Sequence, residues 1–254
     1  MTKDHIPMLI QLKKLTSQKM ISHLSLSMLL SFLFVLPVSS VSANMVLSEA
    51  ILHFEPGKPL RKDIEVENVG DETLYIQIDP QIVRNPGTNE ESRDAYTDPR
   101  DAGLLVTPNK LVIPPKSRKL VRFVVLKPAT DKEDNVYRVT FKPVSNPDIP
   151  KDGQIGVKVV IAYQVLVLVQ PSNPEPKLVA KRNGNKLLFT NNGNTNVLLR
   201  EGRQCPNKSS TEDECQHLPG QRLYAGNKWS IDLPTNKPVE YYLSIGTKNT
   251  VETY

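Results

Sequence analysis

Ile155-Gly156-Val157-Lys158-Val159-Val160-Ile161-Ala162-Tyr163-Gln164-Val165-Leu166-Val167-Leu168-Val169 is the stretch on which the fold turns. It is a β-rich run of fifteen residues, whereas strands usually hold about five or six. Every odd position from 157 to 169 is Val, Ile or Tyr, and the even positions become apolar at Leu166 and Leu168. A strand this long outlasts one sandwich: part must pack in a core, and part can present an apolar edge. Bare edges template further pairing, so such an edge is either covered or used to add a strand from a partner. Periodicity alone reads equally well as a central strand buried on both faces.

The run stops at Pro171-Ser172-Asn173-Pro174-Glu175-Pro176, three prolines in six residues, which has the stiffness of a linker. Upstream, Ile64 and Val66 alternate with acids before the turn residues Asn68-Val69-Gly70-Asp71. Leu74, Ile76 and Ile78 then alternate with Tyr75, Gln77 and Asp79, so the two segments are predicted to form a hairpin-like pair. Residues 84–103, with Asn85-Pro86-Gly87 and many charges, read as an exposed loop. Residues 104–107, 111–113, 120–125 and 136–141 are short apolar strands between proline and polar turns. Downstream, strands are expected at 178–180, 186–190, 197–199, 229–233 and 241–245. No segment has a helical apolar stripe. The fold class is therefore all-β, two sandwiches: an N-terminal domain over 44–170, the linker over 171–176 and a C-terminal domain over 177–254.

Residues 1–43 read as a secretory signal peptide. Lys3, Lys13, Lys14 and Lys19 precede an apolar run from Leu24 to Val38, and Val41-Ser42-Ala43 offers small residues for cleavage near Ala43. The run is too short and too interrupted by serine for a spanning helix. Its removal leaves 211 residues with 28 basic against 26 acidic side chains. No basic cluster with interleaved aromatics remains, so nucleic-acid binding is not expected.

Catalysis finds no support either. Beyond the leader the only histidines are His53 and His217, and no nucleophile signature or phosphate-cradling glycine loop accompanies them. No cofactor, metal or small-molecule substrate is expected. The two cysteines, Cys205 and Cys215, are an even count in an exported chain and read as one disulfide.

Three segments resemble the periplasmic pilus-assembly chaperones of the chaperone–usher pathway. Ile64–Asn68 leading to Tyr75-Ile76 is similar to their second and third strands. Leu105-Val106-Thr107-Pro108 through Leu111, Pro114-Pro115 and Leu120-Val121-Arg122-Phe123 is similar to their proline-punctuated stretch. The long run ending at Pro171 resembles their subunit-binding seventh strand, and Phe189-Thr190-Asn191-Asn192-Gly193-Asn194 their asparagine turn.

The resemblance implies a boomerang-shaped pair of immunoglobulin-like domains in the periplasm, with pilus subunits and an outer-membrane usher as partners. It implies donor-strand complementation, in which Val157, Val159, Ile161 and Tyr163 fill the open core of a subunit lacking its last strand. Where the best-known members carry basic residues for the subunit's carboxylate, this chain has Ile51 and Leu166, and Gln170 replaces the Arg before the linker proline. These departures resemble the archaic or alternative branch. A buried carboxylate needs a cation, and the candidates are Arg138, on the strand expected beside the seventh, then Arg122. Two other readings stay open: a secreted pilus subunit or adhesin, and a sandwich binding module, although Trp229 is the only tryptophan.

Overall fold

A computed structural model describes residues 44–144, 160–207 and 210–254. The proposed signal peptide, Val157 and Val159 lie outside the described residues. Ala43–Tyr254 forms one compact unit, nearly all β, built as two immunoglobulin-like sandwiches.

The first sandwich holds β1 (Met45–Leu47), β2 (Ile51–Phe54), β3 (Arg61–Asn68), β4 (Leu74–Arg84), β5 (Ser92–Ala95), a one-turn helix α1 (Pro99–Ala102), β6 (Leu104–Thr107), β7 (Lys110–Ile113), β8 (Arg118–Val125), β9 (Asn135–Val144) and β10 (Tyr163–Val169). One sheet runs β1-β3-β8-β6 and the other β2-β10-β9-β4-β5, with β7 also on β4. The alternation of apolar residues places Ile64, Val66, Val121 and Phe123 of the first sheet against Ile76, Ile78, Val139, Phe141, Val165 and Val167 of the second, all fully buried. Each such side chain contributes about 1.5–3 kcal/mol of burial.

Two sequence expectations change here. The predicted hairpin of residues 64–66 and 74–78 does not form: β3 pairs β1 and β8, while β4 pairs β9, β7 and β5. Both strands point their apolar faces into one core from opposite sheets, which alternation cannot distinguish from pairing. Residues 84–103 are not all loop, because Ser92–Ala95 adds an edge strand to β4 and α1 follows. Asp98 caps that helix by accepting from the Arg100 N–H at 2.8 Å, Pro99 stands at its start, and Gly103 ends it at φ 87°.

The second sandwich holds β11 (Leu178–Asn183), β12 (Lys186–Asn191), β13 (Val197–Gln204), a 3-10 turn (Glu212–Glu214), β14 (Gln216–Leu218), β15 (Gln221–Leu223), β16 (Lys228–Asp232), β17 (Glu240–Ile245) and β18 (Lys248–Thr253). Its sheets are β11-β12-β16 and β14-β13-β17-β18, with β15 beside β13. Phe189 is its centre, with Trp229, Tyr241 and Tyr254 rings at 5.8, 5.2 and 5.1 Å. Cys205 and Cys215 are joined in a disulfide.

Each sandwich turns one corner with the same device. The Asn68 side chain accepts from the Gly70 N–H and donates to the carbonyls of Glu72, Ile113 and Pro114. The Asn191 side chain accepts from the Gly193 N–H and donates to those of Thr195 and Leu223. Both asparagines are fully buried, and each satisfies backbone groups that a turning chain would leave unpaired.

Candidate functional site

The site is built around β10. It lies between parallel β2 and antiparallel β9, with Leu166 opposite Ile51 on one side and Arg138 on the other. Arg138 in turn stands opposite Gln81 of β4. Residues directly opposite one another share a face, so Gln81, Arg138, Leu166 and Ile51 form a row across the outer face of the sheet. One row along lie Val136, Leu168 and His53.

That face is where the second sandwich meets the first. Val165, Val167 and Val169 point into the first core, while Leu166 and Leu168 pack with Val83, Val136 and Tyr224. The end of β10 is thus buried on both faces. Val160 and Ile161, just before it, have no regular structure and are 50% and 42% exposed. Tyr163 opens the strand, half-buried against the first core and opposite Phe141.

Polar contacts also join the two sandwiches. Asp134, immediately before β9, accepts from the Thr195 hydroxyl at 2.8 Å, the Asn196 N–H at 2.7 Å and the Asn196 side-chain amide at 2.6 Å. Burial nevertheless raises the Asp134 pKa, the hydrogen bonds offsetting it only in part. Arg222 of β15 donates to the Asn196 side-chain oxygen. The Asn194 amide donates to the Asp131 and Asn173 carbonyls, both at 2.9 Å, and its oxygen accepts from the Glu175 N–H. At the opposite end the Thr247 N–H donates to Glu55 at 2.7 Å. The expected loop around Asn85-Pro86-Gly87 also abuts the second sandwich, since a Cβ on Gly87 would meet Asn227 and Tyr224.

The two candidate anchors differ in their surroundings. Arg122 lies on β8, in the other sheet, and grips Asp63 with two hydrogen bonds at 2.8 and 3.1 Å. Those bonds, with Arg61, hold the Asp63 carboxyl far below the usual carboxylate range. Arg138 is half-buried and makes no ion pair within 4 Å among the described residues. Sequence reasoning missed Arg222 and Asp134. Neither sits in an apolar pattern, and Arg222 is one of many surface-type charges until β15 is placed at the interface. His53 keeps a buried Nδ1 without a partner, and burial, then the Arg222 charge, lowers its pKa. Among the described residues no cluster of His, Cys, Asp or Glu could hold a metal, and no helix is long and apolar enough to cross a membrane.

No protein-family model matches the chain. A CFA/I fimbrial subunit of Escherichia coli is 30% identical over 171 residues, 62% of this chain and 70% of that protein. A CS1 fimbrial subunit of E. coli is 28% identical over 180 residues, 68% of this chain and 74% of the relative. A crystal structure of the class 5 fimbriae chaperone CfaA matches 83% of this chain and 98% of its own, at 25% identity and a TM-score of 0.57. The structure of the CsuC–CsuE pre-assembly complex, from the archaic Csu pili of Acinetobacter baumannii, holds a chain that shares the fold. It covers 83% of this chain and 98% of that one, with a TM-score of 0.53 and 12% identity. These neighbours are pilus chaperones, a family without enzymatic activity. With 30% identity over more than two thirds of a relative and this two-sandwich fold, the chain belongs to the pilus-assembly chaperones of the chaperone–usher pathway.

Proposed function

We propose that the chain is exported to the periplasm, where it caps pilus subunits by donor-strand complementation and passes them to an outer-membrane usher. The observation that carries this reading is the change of environment along one apolar run. Val165–Val169 are buried on both faces, whereas Val160 and Ile161 are exposed just upstream. The donor residues are Val157, Val159 and Ile161, with Tyr163 at the junction with the fixed strand. Alternate side chains would fill the subunit's open core while backbone pairing adds affinity. Three such side chains supply roughly 5–8 kcal/mol before ordering costs.

Arg138 is the cation for the subunit's terminal carboxylate. It shares a row with Ile51 and Leu166, the positions where related chaperones carry basic residues, and no described acid pairs with it within 4 Å. Arg122 is already neutralised by Asp63.

Co-expression in the periplasm with candidate pilins, followed by co-purification, tests the reading. Wild type is expected to bring down one subunit per chain. Val159→Asp combined with Ile161→Asp should lose the subunit while keeping its melting temperature. Equal retention by the folded double variant would remove donor-strand binding.

A further inference from the structure

Arg222 is a half-buried guanidinium from the second sandwich, and among the described residues it has no ion pair within 4 Å. Its one hydrogen bond runs to the Asn196 side-chain oxygen. Its electrostatic neighbours are Tyr224, Asp134 and Arg138, and its own charge reaches His53. Two unpaired guanidiniums thus sit within range of each other, one from each sandwich. Like charges held together without a counter-ion cost free energy, which an incoming anion would recover. The buried, unpartnered Nδ1 of His53 is a second unsatisfied polar group in the same neighbourhood.

Asn196 is fixed at both ends. Its N–H and its side-chain amide hold one Asp134 oxygen, and the Thr195 hydroxyl holds the other. Its remaining side-chain oxygen holds Arg222. An unbroken chain of hydrogen bonds therefore leads from the start of β9, across the interface, to the guanidinium beside Arg138. Gln170 occupies the place where related chaperones use an Arg before the linker, so the usual ion pair is not what fixes this interface.

We infer that Arg222 joins Arg138 in a carboxylate site shared by both sandwiches, and that Asp134 is a positioning residue which aims Arg222 through Asn196. The inference rests on the chaperone reading above for its natural ligand, the terminal carboxylate of a pilus subunit. It also makes carboxylate binding depend on the interdomain contact, so that loosening one weakens the other.

The test uses the mature chain labelled with nitrogen-15 arginine, with sodium acetate as probe and sodium chloride at equal ionic strength as control. In wild type the Nε–Hε signals of Arg138 and Arg222 should shift together along one saturable curve, while exposed Arg118 shifts little. In Asp134→Asn the acetate affinity read at Arg222 should fall by roughly fivefold or more, the usual size of coupling between linked sites. Asn196→Ala should do the same. Arg222 staying silent while Arg138 responds in wild type would overturn the shared site, whatever the variants do. Unchanged affinity in a folded Asp134→Asn would overturn the positioning role. A positive acetate result with no subunit retained on co-purification would leave the two-arginine site standing and remove the chaperone reading instead.

Discussion

The corner at Asn68 and the corner at Asn191 share an Asn-x-Gly sequence, a fully buried asparagine and the same bond to the glycine N–H, yet they end in different places. After Asn68 the chain comes to Asp71, whose side chain is 91% exposed and meets only Lys116 at 3.0 Å. After Asn191 it comes to Asn194, Thr195 and Asn196, whose side chains cross to the first sandwich. The glycines record the same contrast. A Cβ on Gly70 would press on the Asn44 side chain, which can move, whereas one on Gly193 would run into the backbone of Glu175 and Lys177. One device thus serves two ends: it closes a sandwich in the first domain, and in the second it also delivers the groups that hold the two domains together.

The largest expected effect comes from removing the device itself. Asn68→Ala strips the Gly70 N–H and three carbonyls of their side-chain partner, and Asn191→Ala strips the Gly193 N–H and two carbonyls. Buried groups left unpaired cost about 1–3 kcal/mol each, and some recover water, so each variant should lose about 3–4 kcal/mol in urea denaturation. The Arg222 Nε–Hε signal should move in Asn191→Ala and stay in place in Asn68→Ala. A loss below about 1 kcal/mol at either site would mean that water replaces the asparagine.

A smaller effect separates the acid at the interface from one on the outer face. Burial raises the folded-state pKa of Asp134 above its unfolded value. The folded chain therefore binds more protons than the unfolded one as pH climbs through and above the ordinary aspartate range near 4. Stability from this group is greatest below that range and falls as pH rises. Relative to wild type, Asp134→Asn should gain stability across the window from about pH 4 upward. Asp63, held ionised by Arg122 and Arg61, stays charged throughout that window and adds no slope there. Melting temperatures at several pH values check the sign, and a flat difference between wild type and Asp134→Asn would show that Asp134 does not titrate in it.

How far the sequence reveals all this depends on whether a feature has a period. The apolar faces of β3, β4, β8, β9 and β12 could be read directly, because every second side chain is buried. Which sheet a strand joins could not, and the expected pairing of β3 with β4 failed for that reason. Strand β5 is exposed at all four positions and β18 at all six, so neither has an apolar alternation to find. At the site, Arg138 beside Leu166 was within reach, since adjacent strands follow from the resemblance. Asp134, Asn196 and Arg222 were not. Their meaning comes from contacts between residues 26 to 62 positions apart, and a polar residue carries no mark of its partner. The repeated Asn-x-Gly was the one signal in the chain that pointed toward that interface.

The smallest expected effect is also the most selective. Asn194 and Asp71 hold the same place after their asparagines, each third beyond it. Asn194→Ala removes three hydrogen bonds to the linker and to the loop before β9. The site is only half-buried, so water takes over part of them, and about 1 kcal/mol should be lost. Asp71→Ala removes an exposed ion pair, for which less than about 0.5 kcal/mol is expected. The ratio matters more than either number, because both substitutions delete a short polar side chain at the same step of the same turn. Were the two losses equal, the crossing bonds of Asn194 would add nothing, and the interface would rest on the apolar contact of Leu166, Leu168 and Tyr224 with Asp134 alone beside it. If Asn194→Ala costs more and also weakens acetate binding at Arg222, while Asp71→Ala does neither, then the second corner is a structural part of the binding cleft and the first is only a turn.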